Sequence, residues 1–389
     1  CIIISDSFKG TLSSMEICEI ARSSIPKFFP ECEVVTVPVA DGGEGTVACF
    51  AAALDAQTVT VTVSGPYGEL VAAAYARSGE KAVIEMAATA GLPLVGEHKD
   101  PERTTTYGVG ELIAHAVRGG AKEILLGLGG SATNDGGCGC AAALGVRFLD
   151  GEGRSFIPVG GTLERIEHID VSGAEELLRG VHITAMCDID NPMHGPAGAA
   201  CIFGPQKGAD PAMVEFLDHQ LKALDETIRR ELHQSVADVP GSGAAGAFGA
   251  GILAFLGGTL CPGIEAVLDL VDFDARLKDC DLVITGEGRF DSQSIRGKVI
   301  SGVSRRAKAQ NVPVMVVAGS VLEEMESVSS DPDSGITAVF SINRQAMDYS
   351  ESKKFSRQNY QYTLENILRL LQCTERKNAA ACSERGRAV

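Results

Sequence analysis

The chain has no tryptophan, and aromatic residues make up only 5% of its 389 positions. Stacking platforms for single-stranded nucleic acid need such side chains, so that class of partner is not expected. Basic residues are also in deficit. Thirty-four Lys and Arg face 51 Asp and Glu, a formal charge of −17. A surface of that sign offers no broad footing to nucleic acid or to an acidic membrane, although local basic pockets are allowed. No CxxC pair occurs among the 12 cysteines, whose one close pair is Cys138 and Cys140, and the 7 histidines form no HExxH. Neither a disulfide framework nor structural or hydrolytic zinc is expected; scattered free thiols fit a reducing compartment. No basic segment followed by a long apolar stretch opens the chain, and by elimination a cytoplasmic location is expected. Residues 239–264 carry no charge, but eight of these 26 positions are glycine and two are proline. That composition predicts a buried glycine-rich segment and no membrane span. Nothing in the sequence fixes a self-association state.

What is abundant is glycine: 45 residues, about 12% of the chain against a usual share of roughly 7%. Hydrophobic residues at 45% and charged residues at 22% describe a globular chain, and its length predicts two domains. Short apolar strands are expected at residues 2–4 and 33–39, alternating with helices from Ser13 or Ser14 to Ser24, where Glu16 is placed for a capping box, and over 47–54. The alternation Thr58-Val59-Thr60-Val61-Thr62-Val63, the turn residues Gly65-Pro66 and Gly68, and the run 70–76 predict an antiparallel hairpin. Further strands are expected at 82–86, 123–128 and 181–187, with a helix near 108–118. Continuous apolar runs at 281–285 and 312–318 have the form of strands buried on both faces, with helices over 301–310 and 360–371. The expected division is one domain from 1–62 and 267–371, a second inserted over 63–266, and a polar, disordered tail at 372–389.

Five segments place polar residues just after expected strands, where open α/β sheets bind ligands. Asp6-Ser7-Phe8-Lys9-Gly10 offers Lys9 to a phosphate or carboxylate, with Asp6 to bind metal or orient Lys9. Asp41-Gly42-Gly43-Glu44-Gly45-Thr46 opens a helix with two carboxylates among glycines. The densest segment runs from Gly127 to Gly137 and holds five glycines. Gly129 and Gly130 suit a backbone anion nest, Ser131, Thr133 and Asn134 add short polar groups, and Asp135 is placed to accept a hydroxyl proton. Asp188 and Asp190 share one side if their strand persists that far, so both could reach one divalent cation; the alternative is a pair of turn-forming aspartates before Pro192. Lys207 lies nearby in the turn Gly204-Pro205-Gln206-Lys207-Gly208. The fifth segment, Gly286-Glu287-Gly288-Arg289-Phe290-Asp291, is followed by Arg296-Gly297-Lys298. Arg289 suits bidentate recognition of a carboxylate or phosphate, and Glu287 or Asp291 could serve a metal or partner the cations. No GxxxxGK[ST] loop and no protein-kinase HRD or DFG set occurs. Gly241-x-Gly243-x-x-Gly246 and Gly127-x-Gly129-x-x-Ala132 match dinucleotide fingerprints, which keeps an NAD-dependent hydroxy-acid dehydrogenase as an alternative, beside a non-catalytic metabolite binder.

Read in order, DSFKGTLS, VADGGEGT, GLGGSATNDGG, CDIDNP, FGPQKGA, PGSGAAG, CPGIEAVLD and ITGEGRFDSQSIRGK resemble the bacterial type-1 glycerate kinase family over about residues 2–320. The resemblance implies an α/β fold, a flavodoxin-like parallel-sheet domain with a second α/β domain inserted into it. It also implies transfer of the ATP γ-phosphoryl group to D-glycerate with Mg²⁺, giving 2-phosphoglycerate and ADP, so the expected partners are small molecules. It assigns no residue roles; those follow from side-chain chemistry. Phosphoryl transfer needs positioning and charge neutralisation. The nest at Gly129, Gly130, Ser131, Thr133 and Asn134 is expected to hold phosphate with Lys207, and Asp188 with Asp190 the metal. Lys9 and Arg289 are expected to neutralise phosphate and the glycerate carboxylate, aided by Asp6, Ser7, Gly286, Glu287 and Lys298. Asp135 is the first candidate for the base and Asp41 the second. The site is expected between the domains, where closure would exclude water.

Overall fold

The computed structural model describes residues 1–39, 45–292, 294 and 298–385. In chain order its strands are β1 Ile2–Ser5, β2 Val35–Pro38, β3 Gln57–Ser64, β4 Leu70–Ser78, β5 Lys81–Glu85, β6 Glu123–Gly127, β7 Arg147–Leu149, β8 Ser155–Phe156, β9 His168–Asp170, β10 His182–Met186, β11 Thr259–Cys261, β12 Val283–Phe290, β13 Val314–Val321 and β14 Ala338–Ser341. The chain divides into two compact units, Cys1–Ala40 with Val267–Val389, and Asp41–Ala266.

The first unit is a five-stranded sheet in the order β14-β13-β12-β1-β2, every neighbouring pair parallel. Numbered within the unit, that order is 2-1-3-4-5, the doubly wound flavodoxin-like arrangement, whose direction reverses beside β1. Successive residues of the apolar runs point to opposite faces, and both faces are covered. Ile3, Ile284 and Val317 pack with Ile17 and Ile20 of the helix Ser14–Ser24 and with Tyr360 and Leu364 of the helix Ser356–Arg385. On the other face Val316 and Ala318 meet Ile300 of the helix Val299–Ala309. Each such fully buried aliphatic side chain contributes about 1.5–3 kcal/mol. Ser13 caps the first helix in a capping box with Glu16, as its spacing predicts.

The second unit holds a six-stranded sheet, β11-β10-β6-β5-β4-β3, and a small antiparallel sheet, β8-β7-β9. From β11 to β5 the strands are parallel; β4 turns antiparallel to β5, and β3 with β4 forms the hairpin expected from the alternating threonines and valines. The uncharged stretch 239–264 contains the helix Ala244–Leu256, buried almost throughout. No helix among the described residues is long and apolar enough to cross a membrane.

Two boundaries differ from the expectation. The break falls at Ala40 and Asp41 because the helix Thr46–Ala53 belongs to the second unit: Val47 donates its N–H to the Glu85 carboxylate at the end of β5, at 2.6 Å. The hairpin strand β3 follows it into the same sheet. At the other end, the last helix continues to Arg385. The alanines at 379–381, read as part of a tail, are the best helix formers and extend it.

Candidate active site

In the second unit, β6 and β10 are parallel neighbours with Gly127 opposite Met186, so the loops that follow them leave the same edge of the sheet. The loop after β6 has an accessible rim and a buried floor. Gly130 is exposed and Gly129 half-buried, whereas Thr133, Asn134 and Asp135 are fully buried. Lys207, also buried, donates from Nζ to the Thr133 carbonyl at 2.7 Å. Burial lowers its ammonium to about 7, against the opposing pull of the Asp135 charge. The Thr133 hydroxyl and both polar atoms of the Asn134 amide are buried with no hydrogen-bond partner among the described residues. Groups of this kind cost about 1–3 kcal/mol each when left unsatisfied, which marks them as prepared for something the chain itself does not supply.

Asp135, the first candidate for the base, is engaged on both of its carboxylate oxygens. Its Oδ2 accepts the N–H and the hydroxyl of Thr106, both at 2.8 Å, and the Gly139 N–H at 3.2 Å, while Oδ1 accepts the Gly137 N–H at 3.1 Å. Burial pushes its pKa up and these donors pull it down. With no exposed surface, the carboxylate ties the start of the helix Cys138–Ala143 to Thr106 and positions the loop. Two further amides of the loop are engaged: Ala132 donates to Ala90 O and Gly136 to Gly246 O. The accessible part of the loop is the rim at Gly129-Gly130, with Ser131 buried beside it.

Gly246 explains a motif read as a dinucleotide fingerprint. It sits at φ +69°, and a Cβ there would lie 2.0 Å from the Thr133 carbonyl oxygen. The glycine lets the chain press against the floor of the loop; no strand precedes it.

Asp188 and Asp190 stand beyond the end of β10 at Met186, so the strand alternation that would align them does not reach them. Both are exposed, and Asp188 Oδ1 accepts the Gly263 N–H at 2.8 Å. Among the described residues no group of three His, Cys, Asp or Glu side chains could hold a metal ion.

In the first unit, the other expected residues gather at the carboxyl ends of β1 and β12. Asp6 donates its N–H to Gly286 O at 2.9 Å and receives the Ser7 N–H on Oδ1 at 2.6 Å. Gly288 lies against the backbone of Phe8 and Lys9. Arg289, largely exposed, approaches Asp291 at 3.7 Å. Gly286 owes its place to sheet packing, since a Cβ would lie 1.9 Å from Val317 O. Lys298 stands at the N-cap position of the helix Val299–Ala309, without a side-chain capping bond, and its charge, with those of Asp6 and Asp291, acts on the buried Glu287. Asp41 and Arg296 lie outside the described residues.

The sequence of the whole chain decides between the alternatives. A family model described as the glycerate kinase family matches residues 1–372. The chain belongs to the glycerate kinase family. It is 46% identical to a protein of Escherichia coli K12 called glycerate 2-kinase, over 88% of this chain and 90% of that one. With a glycerate kinase of Bacillus cereus it shares 45% over 94% and 96% of the two chains. A crystal structure of a Salmonella typhimurium LT2 protein assigned as glycerate kinase 2 superposes with a TM-score of 0.84 at 42% identity, covering 96% of this chain and 98% of that one. Membership in a kinase family replaces the dehydrogenase reading of the glycine motifs. Thr106 and Gly246 were not foreseen as parts of the loop's support, because each acts across a long stretch of sequence.

Proposed function

We propose that this member of the glycerate kinase family transfers the γ-phosphoryl group of ATP to the 2-hydroxyl of D-glycerate. The observation that carries the reading is the loop after β6: a partly exposed Gly129-Gly130 rim, a Thr133 hydroxyl and an Asn134 amide with no partner among the described residues, and the Lys207 ammonium held at the Thr133 carbonyl. Backbone amides after a strand, short polar groups and a cation are what a phosphate chain needs. Lys9, Arg289 and Lys298 are the cations of the first unit suited to the glycerate carboxylate or to phosphate, with Asp6 and Ser7 shaping their loop.

Mg²⁺ fits the residues present. It takes hard oxygen ligands and is commonly held by one or two carboxylates together with substrate phosphates. Asp188 and Asp190 supply two carboxylates on the loop after β10. Bound there, the ion would neutralise phosphate charge. Asp188→Asn is expected to raise the Mg²⁺ concentration needed for half-maximal activity by about 10-fold or more, read from Mg²⁺ titrations at saturating ATP. An unchanged requirement removes Asp188 from the metal site.

Phosphorus NMR of the protein with MgATP and D-glycerate tests the reaction directly. The expected result is a 2-phosphoglycerate resonance that needs both glycerate and Mg²⁺. A 3-phosphoglycerate resonance overturns the regiochemistry, and absence of any phosphoester from folded protein overturns the glycerate reading.

A further inference from the structure

The first unit contains a buried acid for which charge neutralisation has no use. β12 pairs in register with β1 only as far as Ile284 opposite Ile3, yet it runs on to Phe290 alongside β13. β1 ends at Ser5, and Asp6 makes a further bond across to Gly286 O; between these two strands the strand order reverses, the position at which open α/β sheets take their ligands. Glu287 is the side chain that follows Gly286 on β12. It is 9% exposed, and its Oε1 is buried with no hydrogen-bond partner among the described residues.

We propose that Glu287 is the general base of the transfer, its carboxylate taking the proton of the attacking glycerate hydroxyl. The proposal rests on the kinase reading above. The step balances. The hydroxyl oxygen forms a bond to the γ-phosphorus, the bond from that phosphorus to the β,γ-bridging oxygen breaks, and its electron pair leaves with ADP. The hydroxyl proton passes to Glu287 and then to water after product release. Asp135, the other buried carboxylate near expected phosphate-binding residues, is sequestered by four donors of its own unit. Asp6 already holds the Ser7 N–H.

The surroundings suit a base working near neutral pH. Burial first, then the Asp6 and Asp291 charges, raise the Glu287 pKa against the opposing pull of Ser294 and Lys298, and leave it at about 7. Arg289, beside Asp291, and Lys9, whose backbone lies against Gly288, are further charged groups at this strand end. A catalytic pKa close to the operating pH balances the fraction in the basic form against its basicity.

The test is steady-state phosphorylation of D-glycerate from pH 5.5 to 9 by wild type, Glu287→Gln and Glu287→Asp, with thermal melts of each. In the wild type, kcat/KM for D-glycerate at saturating MgATP, where bound phosphate keeps Lys207 charged, should rise with pH and level off above about 7. Glu287→Gln should lower kcat about 10²–10⁴-fold, with little change in KM for ATP and no remaining acid limb. Glu287→Asp, which keeps the carboxylate but withdraws it by one methylene, should lose less and keep the limb. If Glu287→Gln does not fold, Glu287→Asp carries the test. A kcat close to wild type in either variant, or an acid limb that persists in Glu287→Gln, overturns the assignment. A folded wild type inactive on glycerate overturns the kinase reading instead.

Discussion

Replacing Asp135 by alanine is expected to destabilise the second unit by about 3–5 kcal/mol, enough to lower its melting temperature by about 10 °C or more. The carboxylate receives two groups of Thr106 and the N–H groups of Gly137 and Gly139, all inside the fully buried floor of the loop. Alanine leaves those donors without an acceptor and without water. Asp135→Asn keeps one carbonyl oxygen but turns an NH₂ toward N–H donors, so it should fall between wild type and alanine. Thr106→Val removes the hydroxyl donor, which also accepts the Cys140 N–H at 2.8 Å. If Asp135 and Thr106 act as one unit, the double variant should cost clearly less than the sum of the singles. Denaturant titrations give all four values, and additive losses would mean that the carboxylate and Thr106 act independently. A side chain that served only as a proton acceptor would leave stability nearly unchanged on truncation, so this measurement separates the positioning role from the base role.

That role was hidden from the sequence for a physical reason. Asp135 stands in a glycine-rich loop after an apolar strand, a setting that reads as chemistry, but two of its four donors come from Thr106, 29 residues earlier. Only the packing of the helix Tyr107–Arg118 against the helix Cys138–Ala143 brings them together. The same holds for Gly246, whose neighbour is Thr133. Local signals were legible where the cause is local. The runs 281–285 and 312–318 became β12 and β13 because unbroken apolar stretches need two covered faces, and Ser13 with Glu16 closes its capping box within four residues. Thr58 to Val63 became a hairpin strand through simple alternation. The unit boundary was misplaced because the helix Thr46–Ala53 looks, in sequence, like the next turn of the first sheet; the contact that moves it, from Val47 to Glu85, spans 38 residues. Glu287 carried a readable signal, an acid directly after a buried strand, but not the burial that distinguishes it from the exposed Arg289 two positions on.

Lys207→Met should separate stability from function in the opposite direction to Asp135→Ala. Methionine fills nearly the same volume and removes an ammonium from a fully buried site, and replacing buried charge by well-packed apolar atoms is often neutral or stabilising. The variant is therefore expected to melt at or above the wild-type temperature. The pH dependence of stability should change as well. Because the folded protein holds this group at about 7, against an ordinary 10.5, the unfolded chain binds more protons between those values. Wild-type stability then gains a contribution as pH rises from about 7 to 10.5 and loses it as pH falls through 7; Lys207→Met should lack that slope. Activity should respond in the other sense. An arriving phosphate favours the charged amine, so nucleotide binding near pH 8 should take up a proton in the wild type, seen as a buffer-dependent binding enthalpy, and not in the variant. With that cation gone from beneath the Gly129-Gly130 rim, kcat/KM should fall about 10²–10³-fold. A stable variant that keeps its activity would show that the ammonium serves the Thr133 carbonyl alone, and would take the phosphate site away from this loop.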